Sequence, residues 1–593
     1  MNLDLADDDA GSAWLAALDA GAPWRAALEA HLLAIDLVEA ERLMQVLKEG
    51  RGTWLPLVLA SAHGSTPRPE AWLFGNALSG SALVLARLGY AVRLFDPSAT
   101  RRALALHRDR WLADGRARAD AWTSTLDLAR FDAPKVAVVE GPVPASLGGT
   151  DGLLARLRTH GTEHLWHAGD NRLGYKRSTG VRADLRVQSP WRFVRDALVG
   201  SGRTLPGYRR AVGRAAASRA LVLYPHRWDF SLVVDLDRAD GPQLFLGPGE
   251  RTNRIKMLGH RLGLFRWLTP SFAVGSGPEG SGAEATPLVE RVLRRVEEES
   301  GEAVGRVEHL VATRGNNALA LTSGDGERAG RFAIHLPLGP DQERQMRRHA
   351  RFSARIAAGE LPGPRVPEPV WCGRVDGVFV EVERRVGAIN AAQLVDEAAR
   401  ERFTLPGCVE LLADARLAGA PRPLTEDERR ELVFERAASV AERAGRAGTA
   451  DAVLEIGRRL AAALADEAFP RVVGHGDLRA KHVATDATGR PLALLDLGCA
   501  RGSDLPLVDL LNLVLHDRKD DARSSLGAAW REAVERRLPE PLERVLNGYA
   551  ERLGLSRAYD DAIRAAYPLF VASSAEQFWD YSRPRWVHRQ LGV

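Results

Sequence analysis

At 593 residues the chain exceeds what one hydrophobic core serves, so two or three domains are expected. A composition 45% hydrophobic and 27% charged fits a water-soluble globular protein. The net charge is only +4, with arginines scattered among acids and no Lys/Arg-rich block interleaved with aromatics, which argues against nucleic acid as a partner and leaves anionic small molecules open.

Cys372, Cys408 and Cys499 are too few and too widely spaced for a disulfide framework or a zinc motif. The start carries Asp7, Asp8 and Asp9 and no basic-then-apolar leader pattern. Without an apolar run long enough for a membrane span, the expected location is cytoplasmic.

In chain order, residues 1–50 read as a helical lead segment. Leu32, Leu33, Ile35, Leu37, Leu43 and Val46 recur near helical spacing, and nothing there suggests chemistry. Residues 51–270 alternate short apolar runs with helical stretches. Trp54–Ala60 reads as a strand, 82–88 as helix, 91–95 as a strand ending at Asp96, 103–112 as helix, and Val136–Val139 as a buried strand. That alternation predicts a parallel α/β sheet. Residues 271–287, with glycines at 275, 277, 280 and 282, read as a flexible Gly/Ser-rich linker. From 288 to 593 a separate domain is expected, able to fold without residues 1–270. An amphipathic helix opens it, strands fill 306–338 and 378–382, a helix covers 341–358, and helices dominate 390–468. Thr425 and Glu428 form a capping box. Strands first and helices after predict a two-lobed α+β arrangement.

The informative stretch is Val472-Val473-Gly474-His475-Gly476-Asp477-Leu478-Arg479-Ala480-Lys481-His482-Val483. Leu494-Leu495-Asp496-Leu497-Gly498 follows, and Asp486-Ala487-Thr488-Gly489 between them reads as a hairpin turn. Two carboxylates beside one short hairpin suit phosphoryl transfer. One orients an acceptor hydroxyl and takes its proton; the other holds a divalent metal against phosphates. Asp477 suits the first role and Asp496 the second. Asp509, on a predicted helix, could brace the loop.

These residues resemble the aminoglycoside phosphotransferase and choline kinase superfamily. Its pattern is a His-Gly-Asp-Leu loop with Asn five residues after the Asp, a hairpin, an Asp in an apolar strand, and a Gly-Asp-Pro-like turn. Gly502-Ser503-Asp504-Leu505-Pro506 and Asp509-Leu510 match that tail. The resemblance implies a kinase-like fold and an ATP-dependent phosphotransferase acting on a hydroxyl of a sugar, glycan or other small metabolite. It also implies Mg²⁺, or Mn²⁺, at Asp496 and His482. His482 stands where the family has asparagine, and magnesium prefers hard oxygen ligands over imidazole. His335, in Arg331–Pro337, stands where the family has its phosphate-binding lysine. The helix that should offer that lysine a glutamate carries Glu343 near its start and His349 nearer the expected spacing. Arg314-Gly315-Asn316-Asn317 resembles a phosphate-cradling turn, giving Gly315 and Asn317 as nucleotide contacts. Val378–Val382 resembles the adenine-pairing hinge strand, giving Glu381 and Val382.

The first half resembles class I S-adenosylmethionine methyltransferases, with a Rossmann-like sheet. Trp72–Gly80 precedes a helix, Asp96 ends the next strand, and Phe131–Glu140 resembles the fourth strand. Gly75 and Asp96 would then bind the cofactor. Asp170–Lys176 resembles a segment of methyltransferase-like proteins from surface-polysaccharide clusters. The glycine loop reads Gly75, Ala77, Ser79, and Leu73 occupies the usual acid position, so S-adenosylmethionine is not expected. The alternatives to a kinase are a non-catalytic scaffold of two degenerate enzyme folds, or an active methyltransferase.

Overall fold

The structure is a computed structural model. It describes residues 9–112, 115–123, 125–141, 143–170, 204–212, 218–224, 230, 232–236, 267, 269, 271–276, 286–312, 317–323, 329–387, 389–394, 397–442, 447–521 and 526–575. The chain forms two compact units, Met1–Glu343 with Trp371–Val382, and Arg344–Val370 with Glu383–Val593.

The first unit opens with helices Asp9–Asp19, Trp24–Ala34 and Leu37–Leu47. Its backbone is a thirteen-stranded sheet. In chain order the strands are β1 (Glu70–Phe74), β2 (Ala91–Asp96), β3 (Arg118–Ala121), β4 (Val136–Glu140), β5 (His164–Asp170), β6 (Arg219–Tyr224), β7 (Leu232–Asp235) and β8 (Ser271–Ser276). The small strands β9 (Ala303–Val304) and β12 (Ala329–Gly330) pair separately. β10 (Val307–Ala312), β11 (Asn317–Thr322), β13 (Phe332–Pro337), β14 (Pro369–Val375) and β15 (Val378–Arg384) complete the large sheet.

The order is β14-β15-β13-β11-β10-β7-β6-β8-β5-β4-β1-β2-β3. β3, β2, β1, β4 and β5 run parallel. This explains why β4 is a continuous buried run, Val-Ala-Val-Val-Glu, rather than an alternating one. Chain order reverses between β1 and β4, and ligands of open α/β sheets bind beyond the carboxyl ends of the strands at such a point. Trp72, Phe74, Phe95 and Leu154 fill one core layer.

Three expectations are corrected here. Trp54–Ala60 is not a strand but contains the 3₁₀ turn Leu55–Leu57. Pro56 lacks the N–H a ladder needs, and a short apolar run does not reveal whether it is strand or buried turn. Residues 271–276 are not linker: β8 lies antiparallel between β5 and β6, and residues 277–285 fall outside the described residues. Gly275 is there for closeness. A Cβ would stand 2.1 Å from the Trp166 ring.

The third correction concerns the boundary at 288. The strands expected to form a separate small lobe extend the first unit's sheet, with Leu310 opposite Val233 and Val311 opposite Leu232. The short apolar run Leu310-Val311-Ala312 is compatible with a strand but does not say which strand β10 pairs with. Residues N-terminal to 288 also hold this region elsewhere. Leu288 N–H donates to Leu59 O at 2.9 Å, and Ser61 Oγ to Asp376 O at 2.9 Å. Arg25 pairs with Asp341 and Arg87 with Glu343 at the start of the helix Pro340–Ala357.

The second unit is mainly helical. Val508–Asp521, Leu526–Val534, Glu540–Leu553 and Arg557–Ala575 pack with earlier helices around Leu411, Leu464, Leu511, Leu546 and Ile563. Thr425 caps its helix reciprocally with Glu428. The unit's strands are β16 (Ile389–Asn390), β17 (Val472–Gly474), β18 (Val483–Thr485), β19 (Pro491–Leu494) and β20 (Arg501–Asp504). β18 and β19 are an antiparallel hairpin beside β16, while β17 pairs with β20.

Candidate active site

β17 delivers the chain into His475-Gly476-Asp477. Asp509, in the first turn of Val508–Asp521, accepts the His475 N–H at 2.6 Å and the Gly476 N–H at 2.8 Å. Gly476 has φ +81, and a Cβ there would meet Cys499 O at 2.4 Å, so only glycine lets the loop pass. Below the loop, Asn512 Nδ2 donates to Leu478 O at 2.8 Å, and Tyr567 hydroxyl donates to Asn512 Oδ1 at 2.7 Å. The hairpin turn is shaped by Asp486 Oδ1, which accepts from Thr488 N and Oγ1 and from Arg490 N. β19 then leads to Asp496, a non-glycine residue at φ 61. Backbone in that region persists only where surroundings hold it, and such positions cluster at functional sites.

Asp477, His482 and Asp496 come together around this hairpin. His482 Nδ1 lies 2.7 Å from Asp477 O, and its Nε2 lies 3.5 Å from Asp496 Oδ2. A carbonyl only accepts, so Nδ1 carries the proton and Nε2 presents its lone pair. The His482 side chain is 6% exposed, against 34% for Asp496. Burial, aided by Lys481, lowers the imidazole pKa to about 4. Burial opposes ionisation of Asp496, but His482, His349 and Lys481 together hold its carboxyl below the usual range. Arg479 binds Asp477 Oδ1 through Nε at 2.8 Å and a terminal nitrogen at 2.5 Å. Among the described residues, no hydrogen bond reaches Oδ2.

Two further histidines are fully engaged. His475 Nε2 donates to Leu495 O at 2.8 Å, while its Nδ1 accepts the Asp477 N–H at 3.3 Å. His349, buried on the helix Pro340–Ala357, accepts the Leu497 N–H at 2.8 Å on Nδ1 and faces Glu383 Oε2 at 3.2 Å through Nε2. Arg479, Asn512, Tyr567 and Glu383 were not anticipated from the sequence. Arg479 alone had a visible signal, its place two residues after Asp477.

The residues expected to hold nucleotide phosphates form a second group, in the first unit. His335 on β13 lies opposite Leu319 on β11. Asn317 Nδ2 is 3.1 Å from His335 Nδ1, and His335 Nε2 is 3.5 Å from Glu381 Oε2. Glu343 does not serve His335 but pairs with Arg87 and Arg374. His335–Glu381 therefore stands where a lysine–glutamate pair was sought. Val382 is buried within β15. Gly315, with Arg314 and Asn316, lies outside the described residues.

The third group sits where the sheet order reverses. Asp96 ends β2 but has no exposure, and Arg101 is 1% exposed beside it. Arg101 Nε lies 3.1 and 3.0 Å from the two Asp96 oxygens, with a terminal nitrogen 2.7 Å from Oδ1. Ala77 N–H donates to Oδ2 at 2.7 Å and Ser98 N–H to Oδ1 at 2.8 Å. Arg108 donates to the carbonyls of Ala77, Leu78 and Ser79. Ser81 Oγ donates to Glu140 Oε1 at 2.5 Å. Gly75, with its N–H on Phe95 O at 3.2 Å, closes β1. The expected cofactor acid is thus saturated by the protein's own donors. The continuation of the Asp170–Lys176 segment beyond Asp170 lies outside the described residues.

The second unit's loop and hairpin define a class: a phosphotransferase with an alcohol group as acceptor. Residues 287–553 match the phosphotransferase enzyme family. An aminoglycoside phosphotransferase from Streptomyces rimosus is similar at 17% identity, over 48% of this chain and 97% of that one, with TM-score 0.30. The GDP complex of aminoglycoside 2'-phosphotransferase-IIIa is similar at 16%, over 47% and 88%, with TM-score 0.32. A geranyl diphosphate C-methyltransferase from Streptomyces coelicolor is similar at 14%, over 38% and 76%, with TM-score 0.23. Values this low carry nothing about acceptor or cofactor. A comparison with curated proteins finds no match.

Proposed function

We propose that the chain is an ATP-dependent phosphotransferase acting on a hydroxyl of a sugar, glycan or other small metabolite. The observation that carries this reading is the single hairpin that positions Asp477, His482 and Asp496 together. Asp477, with Oδ1 held by Arg479, presents Oδ2 to the acceptor hydroxyl. As the acceptor oxygen bonds to the terminal phosphorus, its proton passes to Asp477, and the bond to the nucleotide's bridging oxygen breaks. Asp496 and His482 supply one oxygen and one nitrogen for a divalent cation, which would neutralise charge on the phosphates when bound. The Asp509 brace fixes the loop beforehand, so the proton acceptor needs no reorganisation during the step. His335, Asn317, Glu381, Val382 and Gly315 are the proposed nucleotide contacts of the first unit.

For residues 51–270 of the first unit a non-catalytic reading is favoured. Their strand order and the acid ending β2 support a methyltransferase-like sheet, while the buried Asp96–Arg101 pair argues against S-adenosylmethionine binding. We propose that they serve as a scaffold or acceptor-binding module, in a cytoplasmic protein of polysaccharide metabolism. Phosphorus NMR of ATP incubated with the full chain, a divalent cation and a panel of hydroxylated sugars tests the reading. A new phosphomonoester resonance supports it. Absence of acceptor-dependent ATP loss across sugars, glycans and amino alcohols counts against it.

A further inference from the structure

We infer that the loop–hairpin site takes a first-row transition dication in preference to magnesium, through His482 Nε2 and Asp496 Oδ2. The inference rests on the phosphotransferase reading and deepens it.

The orientation of the ring carries the argument. His482 spends its Nδ1 proton on Asp477 O at 2.7 Å, which fixes the tautomer. A ligating histidine ordinarily donates its other nitrogen to a carbonyl or carboxylate in this way, which sets ring direction and raises basicity. The remaining nitrogen lies 3.5 Å from Asp496 Oδ2. That separation would let one ion take both donors. The carboxylate is offered from a backbone held at φ 61, and Gln345 Nε2 approaches its other oxygen at 3.5 Å.

His475 and His349 have no nitrogen left for this ion. Both nitrogens of His475 are spent on backbone groups, and those of His349 on Leu497 N–H and Glu383. One imidazole nitrogen therefore meets one carboxylate oxygen. Magnesium demands hard oxygens in near-ideal octahedral geometry, whereas first-row transition ions accept mixed nitrogen and oxygen donors. The donor set disfavours the ion usual for phosphoryl transfer.

Electron spin-echo envelope modulation tests this with Mn²⁺ and a methylene-bridged ATP analogue bound to the full chain, with and without ¹⁵N-histidine labelling. The expected result is ¹⁴N modulation that labelling converts to ¹⁵N, absent in His482→Asn. Calorimetry with the same analogue should show Mn²⁺ at least about tenfold tighter than Mg²⁺, with the gap closing in His482→Asn. Mn²⁺–nucleotide binding without histidine modulation in the wild type overturns the inference and leaves the phosphotransferase reading standing. Binding of the analogue with neither ion overturns both. The wild-type spectrum decides even if His482→Asn does not fold.

Discussion

Arg101 grips both carboxylate oxygens of Asp96 in a pair that water does not reach. In a cofactor-binding sheet that carboxylate would meet ribose hydroxyls. Here a cofactor would have to displace a guanidinium and two backbone N–H groups. Calorimetry should therefore detect no S-adenosylmethionine binding at millimolar ligand, and micromolar binding would reverse this. Arg101→Met should cost about 3–5 kcal/mol in urea unfolding, because it leaves a buried charge without its partner. A cost under about 1 kcal/mol would mean that Asp96 is solvated.

A fragment of residues 288–593 should not fold alone. It would expose the β10 edge that pairs with β7, and it would strip Asp341 and Asp376 of Arg25 and Ser61. An unpaired edge strand invites aggregation. Insoluble or non-cooperative material is expected in expression and thermal-melt trials. A soluble fragment with a sharp melt would contradict the shared sheet.

Legibility from sequence followed the range of the interactions. β2, β4 and the hairpin at 486–489 were readable because period, turn chemistry and burial are local. The Asp477–Asp496 pair was readable because its spacing sits within one hairpin. What local pattern could not supply was partner choice. β10 reads as a strand, yet its pairing with β7 depends on residues nearly eighty positions earlier. The family match begins at residue 287, but the compact unit continues to Glu343. Likewise Asp96 looked like a cofactor acid, and only folding brings Arg101 onto it. His349 looked like a missing glutamate; its bond to Leu497 N–H requires elements 148 residues apart to meet.

Acid should destabilise the second unit through His482. Burial and Lys481 put its folded pKa at about 4, against 6.5 when exposed. Between those values the unfolded chain binds a proton that the folded chain does not. The penalty is therefore absent above about pH 6.5 and grows as pH falls toward 4, reaching roughly 3 kcal/mol. His516, also lowered by burial, adds in the same direction. Urea midpoints at pH 7 and pH 4.5 should fall more for wild type than for His482→Asn. Equal falls would show that His482 is not held neutral.

Asp496→Asn should weaken the metal–nucleotide complex itself, since it removes the anionic ligand. A tenfold or larger rise in the metal concentration needed for nucleotide binding is expected, read by thermal shift. Unchanged metal dependence would move the ion elsewhere.

The central claim is that Asp477 takes the acceptor's proton during phosphoryl transfer. It is tested most directly by pairing nucleotide binding with turnover in wild type and Asp477→Asn, under Mn²⁺ and under Mg²⁺. The account predicts nucleotide affinity within about threefold of wild type and turnover reduced about 10²–10⁴-fold, the scale of a lost general base. Undiminished ATP consumption in Asp477→Asn, or no nucleotide binding by wild type with either cation, would contradict it.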